Sequence, residues 1–276
     1  MNISLRGQTI VVTGGALRLG REIALECARA GASVAITFNR SESDARAVVE
    51  EMRLAAQQSA TSATSESRAN DDSETDDFAA FQADVSRSAD VSRLAREVTE
   101  RFGKVTGLVN NAAIFRRTPF DSMTEADFDD HMDANLKGPY LLSKTFGDIF
   151  RANFERNGQA SILNIADVHA WRPLKNYVPY CVSKAGLVML TQAMAKALAP
   201  QVRVNCIAPG TILLPSETQG EDDGEWSDDE DLLVARVPMN RLGTAGEIAR
   251  TAVFLLGGPT FISGAIVPVD GAQQWK

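Results

Sequence analysis

Histidine, cysteine and long apolar runs are scarce in this 276-residue chain, and each scarcity removes a class of function. There are two histidines, His131 and His169, too few for a histidine-based metal centre, and no metal is expected. The three cysteines, Cys27, Cys181 and Cys206, are odd in number, scattered and without metal-ligand spacing. That pattern points to a reducing compartment and away from a disulfide framework. No apolar stretch approaches the roughly 20 residues that a membrane helix needs. The opening MNISLRGQTIVV has no apolar core followed by a small-residue cleavage site, so it does not read as a secretory signal. A soluble, cytoplasmic protein with no membrane partner is the expectation. A basic surplus is missing too. The net charge is −8, and residues 221–231 (EDDGEWSDDED) carry eight acids and no base, so the other 28 acids balance the 28 Lys and Arg. A neutral body with an acidic loop makes nucleic acid a poor partner.

What is present is an alternation of β-rich runs and helix-period stretches. Strands are expected at 9–14, 33–38, 81–85, 107–112, 161–166, 202–208 and 265–270. Helices are expected near 18–30, 43–57, 88–102, 124–152, 178–198 and 244–256. The alternation predicts βαβ units around a seven-stranded, mainly parallel, doubly wound sheet in one α/β domain of Rossmann type. Several strands are apolar almost throughout, as helices on both faces require. Two segments fit no compact element. Residues 58–77 are rich in Ser, Thr, Ala and acid and read as a mobile insertion. The acidic run with Trp226, within 219–232, reads as a second one, either a plain solvated loop or a charged one that discourages anionic substrates such as polyglutamylated folates and acyl-carrier proteins.

TGGALRLGREIA (13–24) leaves the first strand and opens a helix. Such a Gly-rich turn lets backbone N–H groups approach a pyrophosphate at a helix N-terminus, although a Gly-rich turn without a ligand has the same sequence. The second strand ends Phe38-Asn39-Arg40-Ser41, with no carboxylate to hold ribose hydroxyls. Arg40 can bind a 2′-phosphate bidentately and Ser41 can donate to it, which favours NADP(H) over NAD; a solvated surface arginine is the plain alternative. Farther on, Tyr180 and Lys184 stand four apart at the start of a helix and share a face. A cation beside a phenol is expected to favour phenolate and bring its pKa down from about 10 toward working range. Tyr177, seven residues from Lys184, could share that face as well.

Six motifs in order carry a family resemblance: TGxxxRxG (13–20), Asp84-Val85, Asn110-Asn111-Ala112-Ala113, Asn135 within DANLKG, Tyr180-xxx-Lys184, and Pro209-Gly210 within IAPGT. The chain resembles a short-chain dehydrogenase/reductase over nearly its whole length. That resemblance implies that Thr13, Gly14, Arg18, Leu19 and Gly20 form the pyrophosphate turn. It places Asp84 and Val85 by the adenine and Asn110 and Ala112 on the adenosine side. It implies that Lys184 holds the nicotinamide ribose and tunes Tyr180, and that Asn135 positions a water linking Lys184 to solvent. Pro209, Gly210 and Ile212 would border the nicotinamide carboxamide.

Two departures from the family pattern bear on substrate. Arg18 replaces the middle glycine of the usual TGxxxGxG, and Asp167 replaces the usual active-site serine thirteen residues before the tyrosine. An ionised carboxylate cannot donate a hydrogen bond to a substrate carbonyl. The pair is similar to the pteridine reductase branch, in which Phe115 would stack a pterin ring and Asp167 would accept ring N–H groups. Arg18 would neutralise phosphate and meet the pterin carbonyl. In ordinary structural roles Asp167 caps a loop and Arg18 binds phosphate only. Ala113 departs from the serine that branch often carries, His169 has no assigned role, and Trp171 and Trp226 wall a pocket or pack the core. The leading expectation is NADPH-dependent pterin or dihydropterin reduction with Tyr180 as proton donor. The alternatives are a carbonyl or 3-oxoacyl thioester reductase and a silent NADPH-binding sensor. The helix 185–198 is apolar around more of its circumference than one buried face needs, and with the family resemblance this leads to a homotetramer.

Overall fold

The alternating runs close into one sheet. A computed structural model of the protein describes residues 3–62, 77–153, 160–213 and 230–275. The elements in chain order are β1 (Thr9–Val12), α1 (Arg18–Arg29), β2 (Ser33–Phe38), α2 (Glu42–Ser62), β3 (Phe78–Gln82), α3 (Ser88–Phe102) and β4 (Gly107–Asn110). There follow α4 (Glu125–Met132), α5 (Gly138–Asn153), β5 (Ala160–Ile165), α6 (Val178–Leu198) and β6 (Val202–Pro209). The last are β7 (Ile212–Leu213), α7 (Glu230–Val234), β8 (Gly243–Thr244), α8 (Ala245–Gly257) and β9 (Ile266–Val269).

The seven-stranded sheet has the order β3-β2-β1-β4-β5-β6-β9, with β7 and β8 pairing separately. Its six pairings are all parallel, Val11 lying opposite Ala35 on one side and Leu108 on the other. The chain runs outward through β2 and β3, then returns to lay β4 on the free side of β1. The reversal opens a crevice beyond the carboxyl ends of β1 and β4, the place where open α/β sheets bind ligands.

Period-2 alternation divides the core between the faces. Ile10, Val12, Val34 and Ile36 pack with Ile23, Met52 and Leu256 on one side. Val11, Leu108 and Ile162 pack with Leu94, Phe146 and Phe150 on the other. Along α6, Val178, Val182, Ala185 and Met189 stay exposed at helical spacing.

Three expectations change. The third strand is Phe78–Gln82, three residues earlier than expected, so Asp84 and Val85 leave its carboxyl end rather than lying within it. The single helix expected at 124–152 is broken by a π-helical turn at Asp133–Lys137. Residues 58–62 continue α2 instead of starting an insertion. The rest of that proposed insertion, residues 63–76, and most of the acidic run, including Trp226, lie outside the described residues.

Candidate active site

On one side of the crevice, residues 13–20 turn from β1 into α1. Thr13 is buried and works as a clamp: its hydroxyl donates to Val109 O (3.2 Å) and accepts from the N–H groups of Asn111 (3.0 Å) and Ala112 (3.1 Å). Asn111 returns two bonds through Nδ2, to Thr13 O (2.9 Å) and Gly14 O (3.2 Å). Gly20 sits where a Cβ would come within 2.2 Å of Gly14 O, so only glycine lets the helix start this close to the turn. Gly14 has φ +62° and Arg18 φ +50°. The N-cap residue of α1 is Leu17, whose side chain caps nothing, and the first turn holds no acid. A helix start with no side-chain cap and no acid of its own in the first turn fits a phosphate at the dipole's positive end. Leu19 packs partly against the core beneath.

At the end of β2, Asn39 and Arg40 are exposed and Ser41 precedes α2. Gln82 Nε2 donates to Asn39 O at 3.0 Å. Glu42, the nearest acid, is paired with Arg46 at 2.6 Å, and Arg40 has no ion pair among the described residues. The donor set therefore suits an anion. After β3, Asp84 accepts from Ser86 N–H (3.0 Å) and Ser86 Oγ–H (2.6 Å), and Val85 packs against Gly138.

Asn110 corrects a sequence expectation. Its side chain does not line the crevice: it is buried on the Leu108 face of β4, donating to Ser143 Oγ (3.1 Å) and Asn164 Oδ1 (2.8 Å). Asn164 in turn donates to Thr191 Oγ1 at 2.8 Å. The neighbour Asn111, given no role from sequence, is the one that holds the turn. Strand alternation was the available signal, since Asn110 must share the face of Leu108.

Across the crevice, α6 brings Tyr180 and Lys184 to one buried face, with the Lys184 ammonium 5.7 Å from the centre of the Tyr180 ring. Lys184 Nζ donates to Ile165 O at 2.8 Å. Tyr180 Oη donates to Asp167 Oδ2 at 2.7 Å, and Asp167 Oδ1 accepts from His169 N–H at 2.8 Å. Asp167 thus caps a short helical turn and binds the phenol at once. The expectation of a phenol pulled toward phenolate is overturned. Burial, then the Asp167 charge and its hydrogen bond, push Tyr180 well above the ordinary tyrosine value. Burial also lowers Lys184, with Asp167 opposing the shift.

Asn135 lies in the π turn with its amide fully engaged. Nδ2 donates to Ile114 O (2.9 Å) and Ser183 Oγ (3.1 Å), and Oδ1 accepts from Ile114 N–H (2.8 Å). Both amide hydrogens are used, so the side chain cannot also donate to the expected water. It ties the 111–118 segment to α6, because Ser183 Oγ donates onward to Tyr180 O at 2.7 Å. Phe115 stacks on Tyr177 at 4.5 Å and meets Tyr180 edge-on at 4.7 Å. One of its ring faces is covered by Tyr177, which is a packing partner and does not compete with Tyr180.

On the far side of Leu174 is a cavity of about 550 Å³, walled by Val168, Arg172, Pro173 and Leu174 and by Thr211, Ala235, Arg236 and Gln273. Trp171 and His169 line it. Sequence reasoning missed Gln273, which holds the segment leaving β6: its Oε1 accepts from Thr211 N–H at 2.8 Å. Gly210 leaves no room for a Cβ there, which would lie 2.6 Å from Gln273 Oε1. Pro209 ends β6, and Ile212 begins β7.

Comparison with known proteins agrees with this architecture. A family model described as enoyl-(acyl carrier protein) reductase matches residues 14–272. A 3-oxoacyl-(acyl-carrier-protein) reductase of Staphylococcus epidermidis is 30% identical over 269 residues, 96% of this chain and 98% of the relative. An L-xylulose reductase of Caenorhabditis elegans is 30% identical over 272 residues, 98% of this chain and 97% of that one. The crystal structure of a 3-ketoacyl-(acyl-carrier-protein) reductase from Brucella melitensis, complexed with NADH, superposes with a TM-score of 0.80 at 29% identity, covering 98% of this chain and all of that one. The family binds nicotinamide cofactors and catalyses oxidoreduction. With matches that run almost end to end, the chain belongs to the short-chain dehydrogenase/reductase family.

Proposed function

We propose that the protein is an NADP(H)-dependent reductase of carbonyl compounds. The observation that carries this reading is the Tyr180 hydroxyl, hydrogen-bonded to Asp167 on the buried face it shares with Lys184. Thr13, Gly14, Arg18, Leu19 and Gly20 would hold the pyrophosphate. Asn39, Arg40 and Ser41 would take the 2′-phosphate, and Asp84, Val85 and Ala112 the adenine side. Lys184 would hold the nicotinamide ribose, and Pro209, Gly210 and Ile212 the carboxamide. When bound, the reduced nicotinamide supplies a hydride.

The remaining chemistry belongs to the chain. Tyr180 has one hydroxyl hydrogen, so its proton must turn from Asp167 to the substrate oxygen. An alkoxide forming at that oxygen is a far stronger base than phenolate, so even a phenol raised by burial gives up its proton. Lys184 then stabilises the phenolate left behind. The names of the relatives, a 3-oxoacyl and a xylulose reductase, support a carbonyl substrate.

One observation favours a second reading, reduction of a pterin ring. The residue beside Tyr180 is a carboxylate, which accepts from ring N–H groups and cannot donate to a carbonyl. An NADPH-consumption assay with ketones, 3-oxoacyl thioesters and dihydropterins separates the two. The expected result is turnover of carbonyl compounds, with kcat cut by about 10²–10⁴ in Tyr180→Phe and NADPH affinity changed little. Turnover of dihydropterins alone would replace the first reading with the second. Full activity in Tyr180→Phe would remove the assignment of the proton donor.

A further inference from the structure

The loop that carries Arg40 lies beyond the last rung of the sheet. β3 is an edge strand, and its pairing with β2 ends at Phe38 opposite Gln82, where Phe38 O accepts from Ala83 N–H at 2.9 Å. One residue farther on, a side chain replaces the ladder: Gln82 Nε2 donates to Asn39 O at 3.0 Å. Among the described residues Asn39 and Arg40 make no other hydrogen bond or ion pair, and both are exposed. Arg40 therefore takes its place from a single tether on its neighbour.

The tether is itself anchored. Gln82 O accepts from Arg93 Nη2 of α3 at 3.0 Å, and Arg93 pairs with Asp90 at 3.4 Å and with Glu97 at 3.3 Å. Asp90 Oδ2 also accepts from Asp84 N–H at 2.9 Å. The main chain of 82–84 is thus tied to α3 whatever side chain stands at 82. Removing the Gln82 amide frees the Arg40 loop alone: Asp84 keeps its bond to α3, and the turn at 13–20 keeps its clamp of Thr13 and Asn111. NADPH differs from NADH by a phosphate on the adenosine ribose, so a defect confined to this loop is felt by one cofactor only.

We propose that Gln82 is a positioning residue that sets the preference for NADPH over NADH, by holding the backbone from which Arg40 reaches the 2′-phosphate. This rests on the reading of the site as NADP(H)-binding. An arginine already loses much rotamer freedom when a ligand fixes it, and a wandering backbone adds to what binding must order. Without the tether the loop spends a smaller fraction of time in its binding arrangement, and the apparent affinity falls by that fraction. One neutral hydrogen bond is worth a factor of about three to ten.

The test is fluorescence titration of the whole protein with NADPH and with NADH, in the parent, Gln82→Met, Arg40→Gln and the double variant. The parent is expected to bind NADPH more tightly than NADH. Gln82→Met should lower NADPH affinity about three- to tenfold and leave NADH affinity within about twofold. Gln82→Ala, which also lacks the donor, should give the same selective loss. In the Arg40→Gln background Gln82→Met should change NADPH affinity by less than about twofold, because the guanidinium it positions is gone. An NADPH preference that survives Gln82→Met, or equal losses for both cofactors, overturns the proposal and leaves NADP(H) binding standing. So does an undiminished loss in the Arg40→Gln background. A parent that binds NADH as tightly as NADPH removes the NADP(H) reading, and this proposal with it.

Discussion

The two walls of the crevice are built differently. The turn at 13–20 is held by main chain and by small residues: Thr13 and Asn111 bond to backbone atoms, and Gly14 and Gly20 let two segments touch. The wall at 167–180 is held by bonds in which side chains take part: Tyr180 to Asp167, Arg172 to Gln273 O, and Leu174 N–H to Cys181 Sγ at 3.3 Å. The first wall is part of the fold, because moving it would pull β1 from β4. The second is an arch laid over the fold, whose residues can change without disturbing the sheet. A family that keeps its cofactor and varies its substrate is expected to hold the first constant and edit the second.

Breaking the first wall should have the largest effect. In Gly20→Ala the new methyl carbon would sit 2.2 Å from Gly14 O and 2.4 Å from Asn111 Nδ2. The turn must open, which costs about 1–3 kcal/mol of stability as overpacking and misplaces the N–H groups at the start of α1. NADPH affinity should fall by more than about a hundredfold, so that millimolar NADPH no longer raises the melting temperature as it does for the parent. Unchanged NADPH affinity in a folded Gly20→Ala protein would show that the pyrophosphate does not lie at this turn.

Editing the second wall should do less. Asp167→Asn keeps an oxygen to accept from Tyr180 but removes the charge, and its new N–H₂ faces His169 N–H, a donor against a donor. Loss of a charge-assisted bond suggests a fall of about ten- to a hundredfold in kcat. The pH profile gives the sharper readout. Asp167 raises Tyr180, so without its charge the phenol loses its proton at lower pH. Reduction needs the protonated phenol, and the alkaline limb of kcat should therefore move to lower pH. A limb that stays in place, or moves upward, would mean that Tyr180 is not the group being titrated.

The same contrast explains what could be read in advance. Strand positions and the Gly-rich turn follow from local rules, the period of apolar residues and the need for glycine at close approach, and they stand where the sequence put them apart from β3. There Phe78-Ala-Ala-Phe-Gln has too few β-branched residues to outweigh the more strand-like Phe-Gln-Ala-Asp-Val beside it. The arch is set by side-chain contacts that no repeating pattern of the sequence announces. Nothing near Tyr180 indicates that Asp167 would take its hydroxyl hydrogen, and so the direction of its pKa was misread. Nothing near Gly210 points to Gln273, some sixty residues away. For Asn135 the sequence points to a water relay, and only the π turn reveals that both its amide hydrogens go to Ile114 and Ser183, which leaves acceptance alone to bind a water.

Arg18 belongs to both walls in kind, being an unusual side chain set in a backbone position made for glycine. Its φ of +50° lies in the left-handed region, which glycine enters freely and other residues enter at a cost of roughly 1–2 kcal/mol. The family's common glycine at this point is thus explained by the turn, and arginine is tolerated there against the backbone's preference. Two substitutions separate backbone from side chain. Arg18→Ala and Arg18→Gly both delete the guanidinium, but only alanine keeps the strained conformation. Arg18→Gly should be the more stable of the two by about 1 kcal/mol, a difference of a few degrees in Tm for a chain of this size. If the guanidinium binds cofactor phosphate, both variants should weaken NADPH binding to a similar extent. An alanine variant as stable as the glycine variant would mean that this turn is not strained. In that case the arginine would be an ordinary resident of the position, and its presence could not be taken as selection for what its side chain binds.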